Sequence, residues 1–147
     1  MDQWIICDIG HVHWGAYGGA GLLLRYAGDG RSPVYLLEQR SGGVDEGGTW
    51  AIPGGAMHEG ELPEAAALRE AREEITPVPA YRLTSQEEQD CGGGWTFHIL
   101  RGDVDEAPPI NIRHETAATG WFTAEQMTRL PLHPGFRKWF AQHRSEL

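Results

Sequence analysis

The sequence predicts an α/β fold built in layers, and three observations lead to this prediction. Short apolar runs separated by glycine clusters are typical of strands, an alanine-rich segment in the middle of the chain has helical character, and further helix signals follow near the C-terminus. Strands on both sides of one long helix, with helices at the end, favour a mixed α/β layer structure.

The strands are predicted from runs rich in Leu, Ile, Val and aromatic residues. These runs cover residues 20–26, 34–39, 50–52, 95–100 and 120–122. Residues 78–90 could add another strand, but the polar stretch at 86–90 favours a loop.

The middle helix is predicted over residues 63–75. Pro63 suits the first turn, where its missing amide hydrogen is not needed, and Thr76-Pro77 prevents continuation. Because the residue before a proline prefers extended geometry, we expect the chain to leave the helix after Ile75 without a left-handed cap at Thr76.

Two shorter helices are predicted after residue 122. Thr123 and Gln126 have the spacing of a capping box, which opens a helix that Pro131 ends. His133 and Pro134 then begin a final amphipathic helix that runs to about residue 143, with His133 as its cap.

Composition limits the classes of function. The 147 residues suit one domain over residues 1–147, and 12 Lys and Arg against 21 Asp and Glu give a charge of −9, which argues against polymeric nucleic acid but not against a small phosphorylated substrate. Cys7 and Cys91 are too few for a disulfide framework, and Cys7, His11 and His13 fall short of a zinc pattern. With no apolar run of roughly 18 residues, we expect a cytoplasmic protein without a membrane segment. The sequence also allows a homodimer.

The predicted middle helix has an apolar side and an acidic side. Four residues form its apolar side: Ala65, Leu68, Ala71 and Ile75. Its acidic side carries Glu70, Glu73 and Glu74, which repel one another and partly lie near the C-terminus, where the helix dipole disfavours anions. They form either a solvated surface, relieved by Arg69 and Arg72, or a set of ligands for a cation.

The segment before this helix favours the cation. It reads Trp50-Ala-Ile-Pro-Gly-Gly55, a strand ending in a loop whose glycines allow close approach of the backbone. Segment and helix together carry six residues at fixed spacing: Gly55, Glu61, Arg69, Glu70, Glu73 and Glu74. This pattern is similar to the Nudix box, G-x5-E-x7-R-E-U-x-E-E-x-G-U with U a bulky apolar residue. The chain therefore resembles the Nudix hydrolase family, including its MutT-like members.

Three positions depart from the box. Ala71 is smaller than the usual apolar residue, Thr76 replaces the last glycine, and Pro77 replaces the apolar residue after it. These departures concern the geometry of the helix end and leave every carboxylate in place.

The resemblance implies an α/β/α sandwich with a mixed sheet and a site for Mg²⁺, with Mn²⁺ as an alternative. The implied metal ligands are the carboxylates of Glu70, Glu73 and Glu74 and the carbonyl of Gly55. Mg²⁺ prefers such oxygen ligands, and a bound metal acidifies water for attack on phosphorus. Glu61 and Arg69 would orient the helix glutamates through an ion pair.

Residues outside the box could contact substrate. Glu115, ahead of Trp121, resembles a glutamate that some MutT-like members place before a tryptophan, with a plain surface position as the alternative. Glu87 and Glu88 compete with it as candidates for the general base. Trp121 and Phe97 could stack on a nucleobase, or could simply pack in the core.

The function that the resemblance implies is hydrolysis of a diphosphate bond in a nucleoside diphosphate linked to another moiety. Beyond the box the chain has Gly92 and Gly93, where ADP-ribose members tend to have proline and diadenosine polyphosphate members tyrosine. Elimination therefore favours a nucleoside triphosphate or related nucleotide. Two other classes stay open: a nucleotide-binding module without turnover, and an isoprenyl diphosphate isomerase, for which Cys91 is poorly placed.

Overall fold

The computed structural model describes residues 4–6, 12–14, 17–28, 30–43, 46–90, 94–113 and 116–147, with the backbone alone at 4–6 and 12–14. The strands in this part of the chain are β1 (Trp4–Ile6), β2 (Val12–Trp14), β3 (Gly19–Tyr26), β4 (Val34–Arg40), β5 (Trp50–Ala51), β6 (Gly54–Ala56), β7 (Ile75–Thr76), β8 (Tyr81–Asp90), β9 (Thr96–Val104), β10 (Asn111–Ile112) and β11 (Thr116–Thr123). The helices are α1 (Pro63–Glu74), α2 (Ala124–Met127) and α3 (Pro134–His143), followed by a 3-10 turn (Arg144–Glu146). Within these ranges no helix has the length and apolar character needed to cross a membrane.

One large sheet organises the domain. Its strands follow the order β11-β4-β3-β9-β8, with β5 added beside β4 and β6 beside β3. β3 and β9 run parallel, whereas the other pairs are antiparallel. The sheet is therefore mixed, as predicted. Two small sheets pair β1 with β2 and β7 with β10.

Helices cover both faces of the large sheet. Leu22 and Leu24 of β3 share one apolar cluster with Ala71 of α1. Leu23, between them in sequence, belongs to a second cluster with Trp139 of α3. Since neighbouring strand residues point to opposite faces, α1 and α3 lie on opposite sides of the sheet. The predicted α/β/α sandwich is confirmed.

The predicted loop at residues 86–90 was wrong, because these residues belong to β8. β8 is an edge strand of the large sheet, pairs with β9 alone among the described strands, and exposes most of its side chains. Polar residues suit such an edge, since they stay hydrated and discourage pairing with another chain. The polarity of this segment therefore reflects exposure and not the absence of a strand.

The end of α1 follows the prediction. Ile75 is already extended, with φ −138° and ψ 159°, and Thr76 continues in β7 opposite Asn111 of β10. Thr76 is absent from the described residues with positive φ. The chain therefore leaves the helix without a left-handed cap, although α1 itself ends at Glu74 and not at Ile75.

The apolar side of α1 contains Leu68 and Ala71 as predicted, followed by Ile75 just after the helix, but it differs from the prediction at Ala65. Ala65 is exposed, whereas Ala66 and Ala67 are fully buried in the cluster shared with β3. Three consecutive alanines have no periodicity, so the pattern alone could not orient them. Packing against the sheet sets the rotation of the helix, and it turns part of the acidic side inward.

The helix caps predicted near the C-terminus are confirmed. Thr123 Oγ1 accepts from the amide of Gln126 at 3.1 Å, and Gln126 Oε1 accepts from the amide of Thr123 at 2.9 Å. His133 Nδ1 accepts from the amide of Gly135 at 3.1 Å and caps α3. These bonds satisfy amides that have no partner inside a helix.

Candidate functional site

The candidate site forms where α1 approaches β6. Gly54 and Gly55 of β6 pair with Gly21 and Ala20 of β3. A β-carbon at Gly55 would lie 2.5 Å from the carboxyl carbon of Glu70, and one at Gly54 would collide with the carbonyl oxygen of Ala20. A side chain at Gly54 would therefore require the backbone to move, whereas one at Gly55 would displace the carboxylate of Glu70. Both positions show the close approach that the sequence suggested from its glycines.

Arg69 joins the helix to the segment before it. Its Nε and Nη2 donate to the two carboxylate oxygens of Glu61 at 2.9 and 3.0 Å. Nη1 donates to Glu70 at 2.8 Å, and Nη2 also donates to the carbonyl of Ala56 at 2.9 Å. Charge-assisted bonds in such a fork are stronger than neutral ones and fix orientation. The guanidinium therefore holds the loop, β6 and α1 in one arrangement.

This ion pair, the Glu61–Arg69 pair, also determines the protonation states of both side chains. Hydrogen bonds from Arg69 lower the pKa of the Glu61 carboxyl to about 2. The backbone amide of His58 also donates a hydrogen bond to Glu61 at 2.9 Å, which lowers the pKa further. The bond to Glu61 raises the pKa of Arg69 in turn. Both groups stay charged across the neutral range.

Glu74 turns from the helix toward the sheet. Its Oε1 accepts from the amide of Gly54 at 3.0 Å, and its carboxyl group lies close to that of Glu38 on β4. Glu38 is only 4% exposed, and its Oε2 has no hydrogen-bond partner in the described structure. Two carboxyl groups, the Glu38–Glu74 pair, thus face each other away from solvent.

The surroundings disfavour negative charge on this pair. Burial raises the pKa of Glu38 to about 7. Burial, with added contributions from Glu38 and Glu70, raises the pKa of Glu74 well above its ordinary value. Burial also raises the pKa of Glu70, although its hydrogen bond from Arg69 acts in the opposite direction. A nearby cation would lower these three pKa values and favour the ionised carboxylates.

Sequence reasoning missed Glu38, although a signal for it exists. Leu36 lies two residues earlier on β4 and packs in the cluster beneath α1. Alternate residues of a strand share a face, so Glu38 must point to the same side. A charged residue on the covered face of a predicted strand is therefore the pattern that would have identified it.

The three helix glutamates lie in different environments. Glu74 faces Glu38, Glu70 lies against Gly55 and Arg69, and Glu73 is 54% exposed with its Oε1 3.5 Å from Arg69 Nη1. Among the described residues, no three acidic, His or Cys side chains are close enough together to form a ready metal site. The metal ligands that the box implies therefore lie near one another, but their oxygens do not surround a common position.

The chemistry of these groups nevertheless fits a divalent cation. Carboxylate oxygens are the ligands that Mg²⁺ prefers. The unpartnered Oε2 of Glu38 is a buried acceptor, and such an atom is costly unless a donor or cation satisfies it. The negative charge of the carboxylates at this site therefore exceeds the positive charge of the neighbouring described residues.

The C-terminus of α1 is stabilised by a residue distant in sequence. The amide of Arg113 donates to the carbonyl of Glu74 at 2.8 Å, and its Nη1 donates to the carbonyl of Arg72 at 2.9 Å. These bonds satisfy carbonyls that the helix leaves open and place a cation where the dipole favours one. Local sequence could not indicate this partner, because it arrives from the segment between β10 and β11.

Comparison with known proteins assigns this arrangement to a family. The NUDIX domain model matches residues 18–143. The chain belongs to the NUDIX domain family. The crystal structure of a Nudix hydrolase from M. smegmatis, RenU, superimposes with a TM-score of 0.83 at 34% identity, covering 99% of this chain and 94% of that one.

Two relatives of known name extend the comparison. A Mycobacterium tuberculosis protein named as a candidate 8-oxo-dGTP diphosphatase is 38% identical over 142 residues, which is 92% of this chain. The chain spans 65% of the length of that relative. The CTP pyrophosphohydrolase of Escherichia coli is 30% identical over 107 residues, covering 71% of this chain and 77% of the relative.

The departures from the Nudix box have structural explanations. Ala71 is fully buried in the cluster between α1 and β3, where the helix lies close to the sheet. Thr76 and Pro77 lie beyond the helix and are exposed. Since the backbone leaves α1 in extended geometry, this Nudix domain does not need the glycine that the box normally has there.

The aromatic candidates lie on opposite faces of the sheet. Trp121 packs against the cluster beneath α1, and its Nε1 donates to the carbonyl of Pro108 at 3.0 Å. Phe97 packs against the cluster beneath α3 and stacks on Trp95, with ring centroids 6.0 Å apart. The two residues therefore cannot flank one nucleobase together.

Two of the remaining candidates lie on β8, and the others lie outside the described residues. Glu87 forms an ion pair with Arg101 at 2.5 Å, and Glu88 is exposed, 3.8 Å from the ring of His98. The described residues do not include Glu115, nor Cys7, His11, Cys91, Gly92 and Gly93, nor the side chain of His13.

Proposed function

We propose that this chain acts as one Nudix domain over residues 1–147 and hydrolyses a diphosphate bond in a nucleoside diphosphate linked to another group, in a reaction that requires a divalent metal ion. The observation that carries the proposal is the acidic side of α1, which faces a buried carboxylate of the sheet and is held in place by Arg69. Repelling carboxylates in this position are unfavourable for the metal-free protein, so they point to a role with a cation.

Each residue of the site has a role in this proposal. Four groups would hold Mg²⁺, or Mn²⁺ in its place: the carboxylates of Glu70, Glu73 and Glu74 and the carbonyl of Gly55. When bound, such a metal neutralises phosphate oxygens and lowers the pKa of a water that attacks phosphorus. Glu61 and Arg69 act as positioning residues, since their ion pair fixes the side chain of Glu70 and the start of α1.

A nucleoside triphosphate is the favoured substrate. The Mycobacterium tuberculosis and Escherichia coli relatives are named for 8-oxo-dGTP and CTP, which are both nucleoside triphosphates. The net charge of −9 supports a small nucleotide over a polymeric nucleic acid, because the repulsion of a phosphate can be relieved locally by one or two bound metal ions.

Of the aromatic candidates, Trp121 is the better placed for substrate. It lies on the α1 face of the sheet, two residues along β11 from Thr119, which pairs with Glu38. Phe97, on the other face, would contact only a part of the substrate that reaches around the sheet edge. Glu115 remains a candidate contact from the same part of the chain as Trp121. Truncation of Trp121 to Leu should therefore raise KM more than truncation of Phe97.

A cytoplasmic location belongs to the same proposal. Two cysteines without a disulfide framework suit a reducing compartment, where intracellular nucleotides are the available substrates. Fractionation of the native host would test it, with the protein expected among the cytosolic enzymes.

The deciding experiment is a substrate panel assayed with Mg²⁺ and with Mn²⁺. Nucleoside triphosphates, oxidised deoxynucleotides, nucleotide sugars and dinucleotides are incubated with the protein in ¹⁸O water, and products are identified by mass. The proposal expects a nucleoside monophosphate with pyrophosphate, or a diphosphate with phosphate, and ¹⁸O in one of the two products. Nucleotide binding without turnover would instead identify a binding module, and isomerisation of isoprenyl diphosphate without phosphate release would identify an isomerase.

A further inference from the structure

We propose that Glu38, which the sheet contributes and the Nudix box does not include, is a ligand of the divalent metal ion together with Glu74. This inference rests on the metal requirement in the proposed function. It adds a residue from β4 to a site that would otherwise be built from α1 and β6.

The first support is the position of Glu38. It occupies the covered face of β4, two residues after Leu36, and is 4% exposed. Its carboxyl group meets Glu74, the helix glutamate that turns furthest into the protein. A sheet residue and a helix residue therefore present oxygens to the same small volume.

The second support is the hydrogen bonding of the pair. Glu74 accepts one hydrogen bond, from the backbone amide of Gly54, and Glu38 lies close to Thr116 and to Glu74. Oε2 of Glu38 has no hydrogen-bond partner among the described residues, although a buried carboxylate oxygen normally has one. Among the described residues, Arg40 acts on Glu38 at longer range, and the guanidinium of Arg69 is bonded to Glu61 and Glu70. A hard cation is the partner that would satisfy this remaining oxygen.

The third support is that a purely structural role does not explain the residue. A buried glutamate that faces another glutamate destabilises the metal-free fold, and an apolar residue like the neighbouring leucines of β4 would pack there without this penalty. The arrangement becomes favourable when both carboxylates share a divalent ion.

The test is Mn²⁺ binding measured by calorimetry and by electron spin resonance, which needs no turnover. Wild type is compared with Glu38→Gln, Glu38→Asp and Glu74→Gln, and Glu106→Gln serves as a matched control, because Glu106 is exposed and undergoes the same change of charge. We expect Glu38→Gln to weaken Mn²⁺ binding at least about tenfold and Glu106→Gln to leave it within about twofold.

Glu38→Asp separates ligation from a general effect of charge. Aspartate keeps the charge but withdraws the oxygens by about one carbon–carbon bond length, or ~1.5 Å. A ligand role predicts weaker binding in this variant too, with a changed spin-resonance spectrum. Melting of the metal-free variants shows that they are folded, and Glu38→Gln is expected to melt no lower than wild type.

The outcomes distinguish this inference from the proposed function. If Glu74→Gln loses Mn²⁺ while both Glu38 variants bind it like wild type, the role of Glu38 is wrong and the helix site stands. If Glu38→Gln binds weakly but Glu38→Asp binds normally, Glu38 acts by charge alone and ligation is wrong. If wild type binds no Mn²⁺, the metal requirement and this inference are both overturned.

Discussion

Two pairs of ionisable side chains contact α1, and they differ in whether the negative charge of their carboxylates is compensated. At the Glu61–Arg69 pair, both carboxylate oxygens accept from one guanidinium, and an amide adds a further bond. At the Glu38–Glu74 pair, two acids face each other and one buried oxygen has no partner among the described residues. The first pair is satisfied by the protein itself, whereas the second is not.

This difference distinguishes the interactions that position α1 from the carboxylates that α1 contributes to the site. Satisfied charge-assisted bonds keep the helix, its preceding loop and β6 in one arrangement. Unsatisfied buried carboxylates reduce the stability of the fold and are retained where a ligand compensates them. Substitutions at the two pairs should therefore have opposite effects on stability and different effects on turnover.

The largest effect is expected on turnover. Glu73→Gln and Glu74→Gln should each reduce kcat at least about a hundredfold, because each removes a carboxylate proposed to bind metal. Stability of metal-free Glu74→Gln should be unchanged or higher, since the amide can still accept from Gly54 and can now donate to Glu38. Steady-state kinetics and thermal melting measure the two quantities. Near-normal turnover in both variants would contradict the assignment of the helix glutamates.

The next largest effect is a loss of stability when the Glu61–Arg69 pair is broken. Arg69→Met should lower the free energy of unfolding by about 2 kcal/mol, because Glu61, Glu70 and the carbonyl of Ala56 lose a donor. Arg82→Met is the matched control. Arg82 and its partner Asp105 are largely exposed, so the change should be within about 0.5 kcal/mol. Equal losses in the two variants, measured by urea unfolding, would show that Arg69 has no special structural role.

The two pairs should also respond oppositely to pH in metal-free protein. The pKa of Glu61 falls from 4.5 to about 2 on folding, so its contribution is present above pH 4.5 and is lost as the pH falls through 2. The pKa of Glu38 rises from 4.5 to about 7, so its contribution is present below pH 4.5 and is lost as the pH rises through 7.

Urea unfolding across both pH windows, with chelator present, measures these slopes. Glu61→Gln should flatten the loss of stability in acid, and Glu38→Gln should flatten the loss between the mildly acidic and neutral ranges. Unchanged slopes in both variants would mean that neither pair sets the pH dependence.

The smallest effect is expected at the end of α1, beyond both pairs. Thr76→Gly should leave the stability unchanged or lower it by up to about 1 kcal/mol, because Thr76 is extended and glycine only adds freedom to the unfolded chain. A rise in melting temperature of a few degrees, with or without Mg²⁺, would instead indicate strain at this position.

The sequence predicted the fold wherever a local pattern determined the element. Three helix starts are marked by local features that the structure confirms, namely Pro63 in the first turn of α1, the Thr123–Gln126 capping box and the cap by His133. The second half of β8 was taken for a loop because the position of the strand at the sheet edge, and not its apolar content, decides its exposure. Local patterns do not contain that information.

The same distinction applies to the site. The box placed Glu61, Arg69 and Glu70 correctly near one another, since their spacing on a loop and helix is short. Glu38 and Arg113 reach α1 from other strands and segments, so their partners depend on sheet order and on register. The face of Glu38 was predictable from Leu36, but its meeting with Glu74 was not.

Metal binding by the acidic side of α1 is tested most directly by thermal melting of wild type at increasing Mg²⁺ concentration, with and without inorganic phosphate. Carboxylates that bind the ion only in the folded state should raise stability by about 2.7 kcal/mol at a hundred times the dissociation constant. We expect a melting temperature that rises with Mg²⁺ in wild type and rises much less in Glu74→Gln. A wild-type melting temperature that does not respond to millimolar Mg²⁺, whether or not phosphate is present, would contradict the claim that the acidic side of α1 is a metal site.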